Sequence, residues 1–148
     1  MRFVSDTSIV AKAFLVEPDR DRAVRVIATG VRGEATLLAP SLLLYEINNV
    51  LISKSVKGRS YDRAIGTLMD WVRSGVVVVE EPHEELLRRT EAIASIDTQG
   101  QGYISSFDAA FRALALIRGA SFLASDQSYV HKTRPLVGSF DLLEETAI

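Results

Sequence analysis

Cysteine is absent from the 148 residues. That excludes disulfides, thiolate zinc centres and a cysteine nucleophile. Histidine occurs only at His83 and His131, too few for an imidazole-rich metal site. Any metal would meet oxygen ligands, which favours magnesium or manganese. No apolar run approaches the roughly 18 residues of a membrane span, so no transmembrane helix is expected. The start of the chain lacks a basic segment, and Asp6 interrupts what would be an apolar one. No signal peptide is therefore expected, and the expected location is the cytoplasm. A glycine-rich phosphate loop is also missing. The net charge of −2 is a poor match to a nucleic-acid binder. If four carboxylates serve a metal, however, the remaining balance turns slightly basic, so charge neither supports nor excludes a phosphate-bearing substrate.

What is present is a well-mixed chain, 47% hydrophobic and 24% charged, of a length that suits one domain over residues 1–148. Arg2 to Ser5 reads as a short strand and Thr7 to Leu15 as a helix. A second helix runs from Pro18 to Gly30, opened by proline and closed by glycine. Thr36 to Ala39 is a strand, and Pro40-Ser41 starts a long helix to about Lys57. Ser60 caps a helix from Tyr61 to about Ser74. Val76 to Val79 is an apolar β-branched run, the pattern of a strand buried on both faces. Pro82 opens a helix with Glu84 and Glu85 in its first turns, ending near Ile96. Asp97 to Gly102 is a polar loop, expected to be the most mobile segment. Ser105 or Ser106 caps a helix to Arg118, and Ser121 to Ala124 is a strand. A short helix over Asp126–Lys132 and a last strand over Val137–Leu142 complete the reading. Strands alternate with helices throughout. The expected fold class is α/β: a single three-layer domain with a largely parallel central sheet flanked by helices.

Four acids fall at comparable places. Asp6 and Asp126 each follow a strand, while Glu46 and Asp108 sit in the early turns of helices. Taken singly, each has a structural role. Asp6 and Asp126 could cap helices, and Asp108 could answer a helix dipole and pair with Arg112. Glu46 could bond Lys12 or Asn49 at the margin of the stripe Leu43, Ile47, Val50 and Leu51. Taken together they point elsewhere. Helices pack on a parallel sheet with their N-termini at the carboxyl edge of the strands, where ligands bind. All four acids can project into one cleft there. Two carboxylates ~4 Å apart repel by ~4 kcal/mol at an effective dielectric near ~20, and a divalent cation relieves that cost. Such an ion would acidify a water and offset charge on a scissile phosphate.

The stretch Val4-Ser-Asp6-Thr-Ser-Ile-Val-Ala-Lys12-Ala-Phe resembles the opening of PIN-domain nucleases. Ala39-Pro-Ser-Leu-Leu-Leu-Tyr-Glu46-Ile-Asn-Asn-Val-Leu51 resembles their second motif. Phe107-Asp108-Ala-Ala-Phe-Arg-Ala-Leu-Ala115 resembles the third, and Gly119-Ala-Ser-Phe-Leu-Ala-Ser-Asp126 the fourth. Order and spacing match over nearly the whole chain. The closest subgroup in appearance is the VapC toxins of VapBC toxin–antitoxin pairs. That resemblance implies a Mg²⁺- or Mn²⁺-dependent endoribonuclease acting on RNA, a homodimer, and a small VapB-like antitoxin protein as partner. It implies Asp6, Glu46, Asp108 and Asp126 as catalytic and metal-site acids, with Ser8 as a polar neighbour. Two positions depart from the pattern. Ala124 stands where threonine or serine is common, with Ser125 adjacent, and Phe111 stands where tyrosine is frequent. Two other readings stay open: a PIN-type enzyme of RNA processing or DNA cleavage, and a degenerate α/β domain that only binds a partner.

Other candidates carry plainer readings. His83 reads as solvated, and His131, near Lys132 and Arg134, as a surface histidine within reach of a phosphate. Lys54, Lys57, Arg59 and Arg63 form a basic stretch that is either a solvated face or a guide for an RNA backbone. Met69 and Trp71 read as packing residues. Asp6-Thr7-Ser8 lacks the second aspartate that follows the nucleophile of aspartyl phosphotransferases.

Overall fold

The chain alternates strand and helix because its apolar pattern switches between short β-branched or aliphatic runs and longer 3.6-residue stripes. In a computed structural model, residues 1–54, 61–98, 100 and 102–125 are described, together with the backbone of 141–142. The elements are β1 (Arg2–Ser5), α1 (Thr7–Lys12), α2 (Arg20–Val31), β2 (Thr36–Pro40), α3 (Leu42–Ser53), α4 (Asp62–Arg73), β3 (Val77–Glu80), α5 (Glu84–Ala94), α6 (Ser106–Arg118), β4 (Ser121–Ala124) and β5 (Asp141–Leu142). Five strands form one sheet in the order β3-β2-β1-β4-β5. Every pair is parallel, with Val4 aligned to both Leu38 and Phe122. The expected single α/β arrangement is therefore present.

The chain runs from β1 outward to β3 and then back across to β4, and crossovers between parallel strands are right-handed as a rule. This puts α1 to α4 on one face, where α1 packs on α2 and α3, and sets α5 against α6 on the other. The chain reverses direction between β1 and β4, and a crevice opens at the carboxyl ends of strands at such a switch point. Asp6 stands in it, its N–H donating to the Leu123 carbonyl at 3.0 Å.

The core is built from Val4, Ile9, Leu37, Leu43, Ile47, Leu51, Leu114 and Leu123, all buried. Between the sheet and α5, every residue of α6 from Ala109 to Leu114 is buried, including Arg112 at 5% exposure. Four alanines, at 109, 110, 113 and 115, keep that helix thin enough to be sandwiched.

Several sequence expectations change. The valine run is not buried on both faces: among the described residues β3 is an edge strand paired to β2, and Val78 is 41% exposed. Gly30 does not end α2. It lies within the helix, where an added Cβ would stand 3.1 Å from both Leu37 and Val76, so the absent side chain lets α2 lie close on the sheet. The first turn of that helix starts at Arg20, after Asp19 takes the left-handed conformation at φ 62°. His83 is not merely solvated. Its Nδ1 accepts from Leu86 N–H and caps α5, while Nε2 bonds Glu80 at 2.7 Å. Lys57, Arg59, Asp126, His131, Lys132 and Arg134, the Asp126–Lys132 helix, and the start of the last strand lie outside the described residues, as do residues 99 and 101 of the polar loop. Among the described residues, no helix is long and apolar enough to cross a membrane.

Candidate active site

Asp6 caps α1, its Oδ1 accepting from Ile9 N–H at 3.1 Å and from the Ser8 hydroxyl at 2.6 Å. The cap is favoured because β1 stops at Ser5 and the first amides of α1 need acceptors. Ser8 in turn shares a short hydrogen bond with Ser125, just beyond β4. A serine one position later than the familiar one thus reaches the first acid through a second hydroxyl. Sequence reasoning noted Ser125 only as a departure, since its partner lies 117 positions away.

Glu46 is half-buried on α3, one turn inside a helix whose stripe Leu43, Ile47 and Leu51 is fully covered. Its Oε2 accepts from the Thr7 hydroxyl. Neither Lys12 nor Asn49 takes the role foreseen for it as Glu46's partner; Lys12 lies 3.8 Å from Asp19. Burial raises the Glu46 pKa above the ordinary carboxylate range, the Thr7 bond opposes this, and the nearby charge of Asp108 raises it further. Asp108 is exposed in the first turn of α6. Its Oδ2 accepts from the Ser105 hydroxyl at 2.7 Å while its N–H donates to that hydroxyl at 3.1 Å, a reciprocal cap.

These three acids line one cleft of about 310 Å³, with Thr7, Ser8, Asn49, Val50, Phe111 and Phe122 as the other walls. It lies at the carboxyl edge, beside the switch point. Phe111 is buried in the wall and brings no hydroxyl to it. Phe107, beside Asp108 at the start of α6, is 62% exposed. The donors are hard carboxylate oxygens, with no lysine or arginine among the described lining residues. That chemistry fits a divalent cation, which would offset the cost that burial and then the charge of Asp108 place on the ionised Glu46. Among the described residues, no group of three or more acids or histidines is disposed to hold an ion, and each of the three acids accepts a bond from a hydroxyl.

A second, larger concavity of about 1020 Å³ lies between α2, α4 and the end of α1. Its floor is apolar, with Phe14 and Trp71 stacked at 5.0 Å. Lys54 and Arg63 stand on its rim, and Lys54 pairs with Glu17. Two of the four basic residues singled out in the sequence thus border this groove rather than the acidic cleft.

The family model of the PIN domain matches residues 3–134. The fold is similar to the crystal structure of FitAcB from Neisseria gonorrhoeae, with TM-score 0.61, 14% identity, and coverage of 95% of this chain and 97% of that one. It is also similar to PAE2754 from Pyrobaculum aerophilum, with TM-score 0.58, 18% identity, and coverage of 97% and 93%. No curated protein matches the chain.

Proposed function

The chain belongs to the PIN domain family, and from that membership and its carboxylate cleft we propose that it is a metal-dependent endoribonuclease of VapC type. Residues 1–148 are taken as one domain acting in the cytoplasm. The observation that carries the reading is the meeting of Asp6, Glu46 and Asp108 in one cleft at the switch point of a parallel sheet.

Asp6, Glu46 and Asp108 would hold Mg²⁺ or Mn²⁺, with Asp126 as the fourth acid implied by the motif order. A cation bound there supplies charge neutralisation at a phosphodiester and lowers the pKa of a water. The chain's own residues set the stage. Thr7 donates to Glu46 Oε2 and favours its ionised form against burial and the charge of Asp108. Ser8, itself bonded to Ser125, donates to Asp6 Oδ1. The Asn49 amide stands in the wall with two donors for a phosphate or base oxygen.

Resemblance to VapC toxins supports two partners: a second copy of the chain and a small antitoxin. The groove beside Phe14 and Trp71 supports a helical antitoxin segment, since an apolar floor with a basic rim suits an amphipathic helix bearing acids.

Incubation of a mixed single-stranded RNA with the protein tests the activity. Cleavage is expected with Mg²⁺ or Mn²⁺ and is abolished by EDTA. Cleavage that persists in excess chelator, or no cleavage with either ion, overturns the proposal. Light scattering is expected to show a dimer at micromolar concentration.

A further inference from the structure

Among the described residues, three aromatic side chains are exposed: Tyr45 at 82%, Tyr103 at 82% and Phe107 at 62%. Every other described aromatic is buried or half-buried, with Phe111 and Phe122 in the cleft wall and Phe14 against Trp71. The exposed rings are not scattered. Tyr45 directly precedes Glu46, Phe107 directly precedes Asp108, and Tyr103 lies in the segment leading into α6.

Helix geometry places two of them at the mouth of the cleft. Tyr45 is one turn before Asn49, and Phe107 one turn before Phe111, and residues four apart share a helix face. Asn49 and Phe111 both line the cleft. Helical side chains lean toward the N-terminus of their helix, and the N-termini of α3 and α6 lie at the carboxyl edge of the sheet. Both rings therefore stand outward of the acids, on two different helices that supply the cleft.

The chemistry of the cleft leaves a gap that such rings fill. Its described lining holds three acids and no basic residue. Those described walls offer phosphates no positive side chain, so contacts to the bases would add to the hold that a bound cation gives the backbone. Stacking of bases on aromatic rings supplies such contacts, because every base has a π-face and the contact depends little on charge. Only unpaired bases have free faces to offer.

We propose that Tyr45 and Phe107 form a stacking platform that holds unpaired RNA bases on either side of the phosphate presented to Asp6, Glu46 and Asp108. The inference rests on the ribonuclease reading and names how that site takes its substrate: single strands, gripped by their bases beside the phosphate.

The test uses a short single-stranded RNA and the variants Tyr45→Ala, Phe107→Ala, Tyr45→Phe and Phe107→Tyr. The measurements are kcat, KM, the Mn²⁺-induced melting shift and the mass by light scattering. Each alanine variant is expected to raise KM about tenfold, the scale of losing one stacked base. The change in kcat should be small, and the Mn²⁺ shift should match wild type. The aromatic swaps should keep wild-type KM. Abasic sites flanking the cut should raise KM for wild type, with little further loss in the alanine variants. Alanine variants with wild-type KM overturn the platform while leaving the nuclease reading standing. If they lose activity by falling from dimer to monomer, the rings belong to a subunit interface and the platform is overturned too. A wild-type protein that cleaves no RNA removes the underlying reading instead.

Discussion

The hydroxyl of Thr7, the first residue of α1, donates to Oε2 of Glu46 on α3, joining segments 39 positions apart. The two helices follow neighbouring strands, β1 and β2. The bond stabilises the ionised form of a carboxylate that burial and Asp108 both disfavour. Helix packing and the charge state of the site are thus linked through one hydroxyl.

Thr7→Val keeps the shape and removes the donor. A hydrogen bond to a charged, half-buried acceptor is worth about 1–2 kcal/mol. Urea denaturation in chelator should show a loss of that size at neutral pH, with Thr7→Ser recovering most of it. A valine variant as stable as wild type would show that the bond does not stabilise the fold.

The raised pKa of Glu46 predicts a pH slope in the metal-free protein. Folding favours the protonated acid, so this group's contribution is fully present below the ordinary glutamate range. It is lost as pH rises through the raised folded value. Glu46→Gln should lack that slope and melt at or above wild type at neutral pH in chelator. Its Mn²⁺-induced melting shift should shrink. Melting curves across pH for both proteins check the point, and parallel curves would remove Glu46 as the source.

Asp6→Asn separates capping from metal binding. Asparagine retains an Oδ1 that can accept from Ile9 N–H and from Ser8, and it caps about as well as aspartate. Stability in chelator should stay level or rise, since one member of an anionic cluster has gone. Cleavage should fall by about 100-fold or more, the scale of losing one charge-stabilising group, and the Mn²⁺ shift should diminish. Wild-type cleavage with an undiminished shift would leave Asp6 as a cap alone.

Gly30→Val probes the closeness of α2 to the sheet. Even a Cβ would meet Leu37 and Val76 side chains at 3.1 Å and the Val76 carbonyl at 3.3 Å. Overpacking of this kind costs about 1–3 kcal/mol. Chemical denaturation should show that loss with cleavage of folded protein unchanged, whereas an unchanged midpoint would mean that α2 can lift without cost.

Local chemistry was open to reading along the chain. The alternation of strand and helix follows from hydrophobic period, and the caps at Asp6 and Ser105 follow from side chains that bond amides within three residues. Glu46 was visible as an acid set among the apolar positions of its own helix. These features need no knowledge of distant neighbours. The order β3-β2-β1-β4-β5 does need it, and so do its consequences. Val76 to Val79 has the composition of a strand buried on both faces, but among the described residues it stands at the edge of the sheet beside β2, with Val78 exposed. Gly30 resembles a helix stop until Leu37 and Val76 are packed over it. Thr7 and Ser125 are ordinary hydroxyls until folding brings them to Glu46 and Ser8. Sequence by itself determined which segments are helices or strands and which acids follow them, because those depend on contacts a few residues long. Only the tertiary structure decided which hydroxyl serves which carboxylate and which face of each strand is covered, because those depend on segments that meet through the sheet.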